Sequence, residues 1–365
     1  MASAPTLAPL SAVDAITPAF HRTKAQLFQP FRFGRWTRLA LISLVAGEVS
    51  SSGGLGNGGN FNLPQSTGSG GGKDKFLSSV ASADWTQWQD YLPLVVAAVL
   101  GGMVLLIILI YVSSIFRFIL FDAVLTERVR IREGWRRWQY QGGRYFLWMM
   151  ALDLISLALL GMLIGIPILF AWRRGMFTNP GDHWAAFLVG GLVILVVGGA
   201  LMLAGVMVSF FTRDFVVPLM ALEDVGATDA WRRLLPMLRA EQWSYAGYVG
   251  MKIVLAIGSS IVFGILNLIA VLLLVIPLLV LGVVFAVLVA ALKLAWTPVT
   301  VVLAVLLGGL SLLGLMWALA GVSVPSAVFF QCYTLHFFGS RYPRLGAMLA
   351  PPAPPTPPEA VPAPA

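Results

Sequence analysis

Asp153 and Lys252 stand inside long apolar runs, and each follows an aromatic residue, Phe146 or Tyr245, by seven positions. At a helical rise of about 1.5 Å per residue, seven positions carry each charge about 10 Å past the aromatic residue that opens its run. An ionised side chain left unpaired in hydrocarbon costs about 2.5–3.5 kcal/mol or more, so both charges should turn toward other helices and find partners. The spacing predicts an Asp153–Lys252 ion pair, with Arg117 as the alternative partner of Asp153. Such a pair can serve a proton or substrate pathway, or it can be a structural pair with a snorkelling lysine. Neither a third acid inside a span nor an unwound helix is expected beside it, which weakens the pathway reading.

Other residue types that carry chemistry are scattered. His21, His183 and His336 fall at a connector, a loop and the end of the last apolar run, so they are not expected to share a metal. The glycine-rich run from Gly53 to Gly72 lacks the lysine and helix that a phosphate loop requires, and reads as a flexible outer loop. Cys332 is the only cysteine, so no disulfide framework or cysteine metal site is available, and its apolar neighbours make it a packing residue. No catalytic constellation is found. The expectation is a non-enzymatic protein with no cofactor and no metal.

The elements that position these residues follow from composition. Of 365 residues, 58% are hydrophobic and only 11% are charged, far below the quarter typical of soluble domains. Lipid must replace water as the main solvent. A span needs about 20 apolar residues to cross about 30 Å of hydrocarbon. Tyr91 to Val124, Phe146 to Trp172 and Trp184 to Phe211 each meet this, and Tyr245 to Phe338 exceeds it. A short run from Trp36 to about Ser50 spans only if Phe31 and Phe33 lie at the interface.

Direction comes from the cations, which stay on the cytoplasmic side of short loops. Arg22, Lys24, Arg32, Arg35 and Arg38 precede the first run, and Arg128, Arg130, Arg132, Arg136, Arg137 and Arg144 follow the second. Arg232, Arg233 and Arg239 fill the next connector, and Arg341 and Arg344 close the last run. These segments should lie inside, with both termini, and the loop 51–90 outside. Tyr245 to Phe338 must then cross an even number of times. Two tilted helices joined near Ile276, Pro277 and Lys293 satisfy this, as do four short ones; the repeat favours two. Arg117 and Arg213 read as snorkelling residues at the inner headgroup level, and Lys293 as reaching the outer interface.

Trp135-Arg136-Arg137 recurs 96 positions later as Trp231-Arg232-Arg233. The same ungapped offset carries Val112 and Ser113 onto Val208 and Ser209, Arg117 onto Arg213, Glu127 onto Glu223 and Val129 onto Val225. Phe20-His21-Arg22 and Pro325 are weaker traces of further copies, matching the tryptophan-arginine triplet and Pro218. The fold class expected is all-α: a polytopic transmembrane bundle of about six helices built from three parallel connector-plus-hairpin repeats. It occupies residues 20–349, between a disordered N-terminus 1–19 and a disordered Pro/Ala-rich tail 350–365.

In the amphipathic connectors, Phe20, Phe28, Trp135, Trp138, Trp231 and Leu235 should face acyl chains, and Arg22, Arg136, Arg137, Arg232 and Arg233 anionic headgroups. The net charge of +8 has the same counterpart, because the arginines flank apolar runs and form no separate basic domain for nucleic acid. The leading expectation is a bacterial inner-membrane protein that organises lipid, with a protein partner or a further copy of itself as the other candidate partner. The alternative is a transporter of a small molecule or lipid using Asp153 and Lys252.

Phe28-Gln29-Pro30-Phe31, the Phe215-Val216-Val217-Pro218 turn, and Val324-Pro325 followed by Gln331 and Tyr333 resemble bacterial multi-pass membrane proteins of unassigned function. These are similar to the membrane domain attached to some glycerophosphodiester phosphodiesterases. The resemblance runs from about Phe20 to Leu349. It implies the membrane fold alone, because the hydrolytic residues of those enzymes reside in a separate soluble barrel that nothing in this chain matches.

Overall fold

The computed structural model of the protein describes residues 9–48, 85–178, 181–291 and 298–349. Lys293, the glycine-rich run 53–72 and the tail 350–365 lie outside the described residues.

The chain folds into α1 (Ile16–Phe28), α2 (Phe33–Val45), α3 (Trp85–Thr126), α4 (Ile131–Arg173) and α5 (Trp184–Phe211), followed by a π-helical turn (Thr212–Val216). Then come α6 (Val217–Glu223), α7 (Ala227–Ala240), α8 (Gln242–Ala291), α9 (Pro298–Gly339) and α10 (Pro343–Leu349). No strand occurs among the described residues. Backbone groups in hydrocarbon must be satisfied within their own segment, which a helix achieves alone. Five helical stretches, within α3, α4, α5–α6, α8 and α9, are long and apolar enough to cross a bilayer.

Among the described residues the last region holds two helices, the number the repeat favours, but α8 does not turn at Ile276–Pro277: it continues through Pro277 to Ala291, and Lys293, the third residue placed at the turn, lies outside the described residues. A proline in an apolar helix removes one donor, which local adjustment can absorb. The first run forms α2 of 13 residues, about 20 Å, which is short of the hydrocarbon thickness on its own. The expected outer loop also gives up its last six residues, because α3 already begins at Trp85.

Packing divides the molecule into two zones. Beyond one level the helices expose apolar side chains almost all round: Leu147 to Trp172 on α4, Trp184 to Leu203 on α5, Val254 to Val287 on α8 and Val305 to Trp317 on α9. Below it, Ile115 to Val124, Phe215 to Met220 and Val324 to Phe338 form one buried core with α1, α2 and α7. We call this zone the base. The exposed zone keeps its close contacts within hairpins. A Cβ on Gly205 of α5 would lie 3.6 Å from Ser156 Oγ of α4, and one on Gly198 would lie 3.5 Å from Leu163, so small residues seven apart set the α4–α5 approach.

The chain's early residues belong to the base, correcting the expected disorder of 9–19. The Leu10 amide donates to Ser340 Oγ (3.1 Å), Arg341 donates to the Leu10 carbonyl (3.0 Å), and Tyr333 donates to the Ala12 carbonyl (3.0 Å). Ala15 and Ala19 are fully buried there, small enough to let α1 lie close on α9.

Pro325 shapes the junction of α2 with α9. It has no N–H, so the carbonyl four residues before it, Gly321, loses its helical partner. The Trp36 indole N–H donates to that carbonyl at 3.0 Å. Pro218 acts similarly after α5. Its ring clashes with the Asp214 carbonyl in a regular helix, and the ladder widens instead, with the Val217 amide bonding Thr212 five residues back.

Helices α4 and α7 begin 96 residues apart, at Ile131 and Ala227. Trp135 of α4 packs edge-on against Phe116 (6.1 Å between centroids), and Trp231 of α7 donates to Thr212 Oγ1 (3.2 Å); both partners lie 19 positions upstream.

Candidate functional site: a charged cluster at the top of the base

The descending helices α3 and α5 bring Arg117 and the Arg213–Asp214 pair to the top of the base, just below the level at which the helices become exposed. Arg117 donates to Tyr145 Oη (2.7 Å) and to the Ala46 carbonyl (3.1 Å), and lies 3.4 Å from Glu48. Its guanidinium stands 5.6 Å from the Tyr145 ring centroid. Glu48, just past α2, thus neutralises a cation that the bilayer would otherwise penalise.

Asp214 lies in the π turn. Lys252 Nζ is 2.5 Å from Asp214 Oδ2, and Tyr248 Oη donates to the same oxygen at 2.9 Å. Tyr248 Oη is also 2.7 Å from Thr334 Oγ1, whose own hydroxyl bonds the Phe330 carbonyl. Lys252 sits over the Phe210 ring at 4.8 Å, and Tyr248 stacks on Phe337 at 4.5 Å. The ammonium is therefore held by a carboxylate and an aromatic face, each favourable where water is scarce. Arg213 stands within the field of both halves, attracted by Asp153, Asp214 and Glu48 and repelled by Arg117.

The predicted Asp153–Lys252 pair does not form. Lys252 takes Asp214, and Asp153 is exposed on α4, with Arg213 as the cation whose field reaches it. Arg117 does not serve Asp153 either, because Glu48 and Tyr145 occupy it. The physical reason is helix face: equal spacing from an aromatic residue sets depth alone, and Asp153 falls on an exposed side of α4 whereas Lys252 falls on the side of α8 that meets the π turn. The expectation of no third acid and no unwound helix also fails, since Asp214 is that acid and the π turn is that irregularity.

Asp214 and Glu48 were legible but passed over. Asp214 occupies the position that the 96-residue offset assigns to Phe118, and matching identities hid the one difference that matters. Phe118 stacks on Trp138 (5.8 Å), so the same position is apolar in one copy and ionic in the other. Glu48 lies near the end of the short apolar run that forms α2, where the sequence reading gave it no role.

The connector residues split. Arg136 is exposed; Arg137 is exposed and 3.8 Å from Asp122; Arg232 is exposed and 3.7 Å from Asp229, one turn earlier. Arg233 is exposed and pairs with Glu223, which also accepts from Tyr342. Arg22 is not a surface residue: it donates to the Leu125 carbonyl (3.0 Å) and lies 3.9 Å from Glu127, tying α1 to α3. Trp138 is buried, and Trp135 and Trp231 pack on the core, so these rings do not face acyl chains. Phe20, Phe28 and Leu235 are exposed. Gly134 is buried one turn before Trp138, and Ala230 one turn before Leu234, so the buried face of each connector carries a small residue that lets it lie against the base.

His21, His183 and His336 sit on α1, before α5 and on α9, and Cys332 is buried in the core. Comparison with curated proteins and with solved structures finds no match. Over residues 10–348 the chain matches a family of unknown function, DUF7544, and belongs to it.

Proposed function

We propose that this is a non-enzymatic inner-membrane protein whose base lies at the cytoplasmic face and organises anionic lipid, or a protein partner, through the exposed arginines of its connectors. The observation that carries this reading is the polarity of the two zones. Apolar side chains cover the long free stretches of the helices, with Arg173 and Arg174 exposed at the far end of α4, whereas Arg128, Arg130, Arg132, Arg136, Arg137, Arg232, Arg233 and Arg239 are exposed on the base. The larger number of cations at the base favours that end inside, and residues 10–12 meet residues 333–341 there. The 96-residue offset of connector helices, with tryptophan contacts at matching positions, supports an internal repeat. The likeness to a phosphodiesterase membrane domain fits a membrane module without chemistry of its own.

Native mass spectrometry of protein released from mixed-lipid nanodiscs tests the reading. Replacing Arg136 and Arg232 with Gln should lower the share of anionic lipid retained several-fold. An unchanged lipid profile, together with unchanged protein partners in a native-membrane pull-down, would overturn it.

A second reading, transport, is favoured by the Lys252–Asp214–Tyr248 constellation on a π turn, because such turns recur at functional sites. Asp214→Asn separates the two: it should abolish a transport phenotype under the second reading and leave lipid enrichment unchanged under the first.

A further inference from the structure

We infer that the exposed ridge of α4 that carries Asp153 is the docking site of a partner protein's transmembrane helix, one bearing a lysine or arginine at the depth of Asp153. The inference goes beyond the reading above, because it uses none of the connector arginines. Asp153 lies six residues past Leu147, where the exposed apolar stretch of α4 begins, and nineteen before Trp172, where it ends. That places the carboxyl about 9 Å inside the stretch. It is exposed there, and so are Leu154 and Leu157 beside it, at 65% and 69%. It forms no hydrogen bond or ion pair among the described residues, and Arg213 reaches it only through a field that Asp214 and Glu48 share. An acid held against acyl chains without a partner is costly, and a cation brought to it removes the cost.

Charge and shape together select the occupant. A second copy of this chain has no exposed cation to offer at that depth among the described residues. Lys252 is committed to Asp214, Arg117 to Glu48 and Tyr145, and Arg173 and Arg174 lie about 30 Å farther along α4. Lipid brings only acyl chains to this level. A small cationic ligand would need enclosing walls, whereas Leu154 and Leu157 stand open. A helix needs only a ridge to lie on. Asp153, Leu157, Gly161 and Gly165 follow one another at four-residue intervals, all exposed, and a Cβ on either glycine would meet nothing within 4 Å. Glycines so spaced let another helix come close, and packing along the row leads that helix to Asp153. The long side chain of a lysine or arginine closes the remaining gap. The carboxylate carries the inference; the glycines set only the approach.

In native membranes, p-benzoylphenylalanine in place of Leu157 should photocrosslink to one polypeptide, and the joined peptide should be an apolar helix with a lysine or arginine within two turns of the crosslink. Asp153→Asn, or glutamine in place of the partner's cation, should lower that product at least five-fold, while Asp153→Glu should keep most of it and Arg136→Gln should leave it unchanged. Dicyclohexylcarbodiimide, which enters the bilayer and modifies protonated carboxyls, keeps the test valid if a variant fails to fold. In wild-type protein it should label Asp153 at least five-fold faster after purification into detergent than in native membranes. Lipid adducts alone at position 157, a crosslink to a second copy, a captured helix without a cation, or equal carbodiimide labelling in the two settings would each overturn the inference.

Discussion

Trp36 donates its indole N–H to the one carbonyl that Pro325 leaves without a helical partner, that of Gly321. The proline and the tryptophan are separate in sequence but complete a single hydrogen-bond account. Trp36→Phe keeps most of the packing and orphans the carbonyl, and should cost about 1–3 kcal/mol of stability. Pro325→Ala restores an amide donor to Gly321, so the double variant should lose less than the two single losses combined. Denaturant titration in mild detergent measures this; strict additivity would show that the bond does not couple the two residues.

Lys252 and Asp214 are both mostly buried, at 18% and 12% side-chain exposure. Lys252→Met strips the carboxylate of its ammonium partner and leaves it the Tyr248 hydroxyl as a donor, which should cost about 3 kcal/mol, in the range for breaking a buried pair. Lys252→Met combined with Asp214→Asn should recover most of that loss. A double variant less stable than either single would contradict the pairing.

Two adjacent glycines on α4 should respond in opposite ways to the same change. A Cβ at Gly142 would meet Ile115 Cγ1 at 2.6 Å and its Cα at 2.9 Å, so Gly142→Ala must push α3 and α4 apart and should cost about 1–3 kcal/mol. At Gly143 the nearest atom is a Tyr111 ring carbon at 3.8 Å, so Gly143→Ala should be neutral or gain up to about 1 kcal/mol from helix propensity. Paired melting curves decide between this and a uniform tolerance of alanine.

Cys332 is the chain's single thiol and is fully buried against α1 and α9 neighbours. Maleimide labelling should be at least ten-fold slower in the folded protein than in denaturant, and should accelerate in variants that loosen α1. Fast labelling of native protein would mean that the base opens readily.

Much of the fold could be read from the chain, because run length and arginine placement are direct consequences of the bilayer. The long apolar runs became α3, α4, α5, α8 and α9, and the 96-residue offset located the connector helices. The site was only partly legible. Lys252 and Arg117 were singled out, but their partners Asp214 and Glu48 were not, since a partner is fixed by which helices touch and at what register. The connector tryptophans misled for the same reason: Trp138 beside an arginine fits an interfacial helix and a buried one equally well, and only the facing Phe118 decides. Pro218 and Pro325 were noticed as a likeness, yet their effect, a widened turn in one case and a borrowed tryptophan in the other, depends on atoms far away in sequence.

The bonds that fasten residues 10–12 to residues 333–341 have a consequence in time. Helix α1 is synthesised early, but Ala12 meets Tyr333 only after 321 further residues have been made. At about 5–20 residues per second that interval is roughly 15–60 s. Throughout it the face of α1 that carries Ala15 and Ala19 has no α9 to cover it. The base therefore closes last, after the final helix has been inserted, and a chain interrupted before α9 presents an open latch that quality-control proteases can recognise.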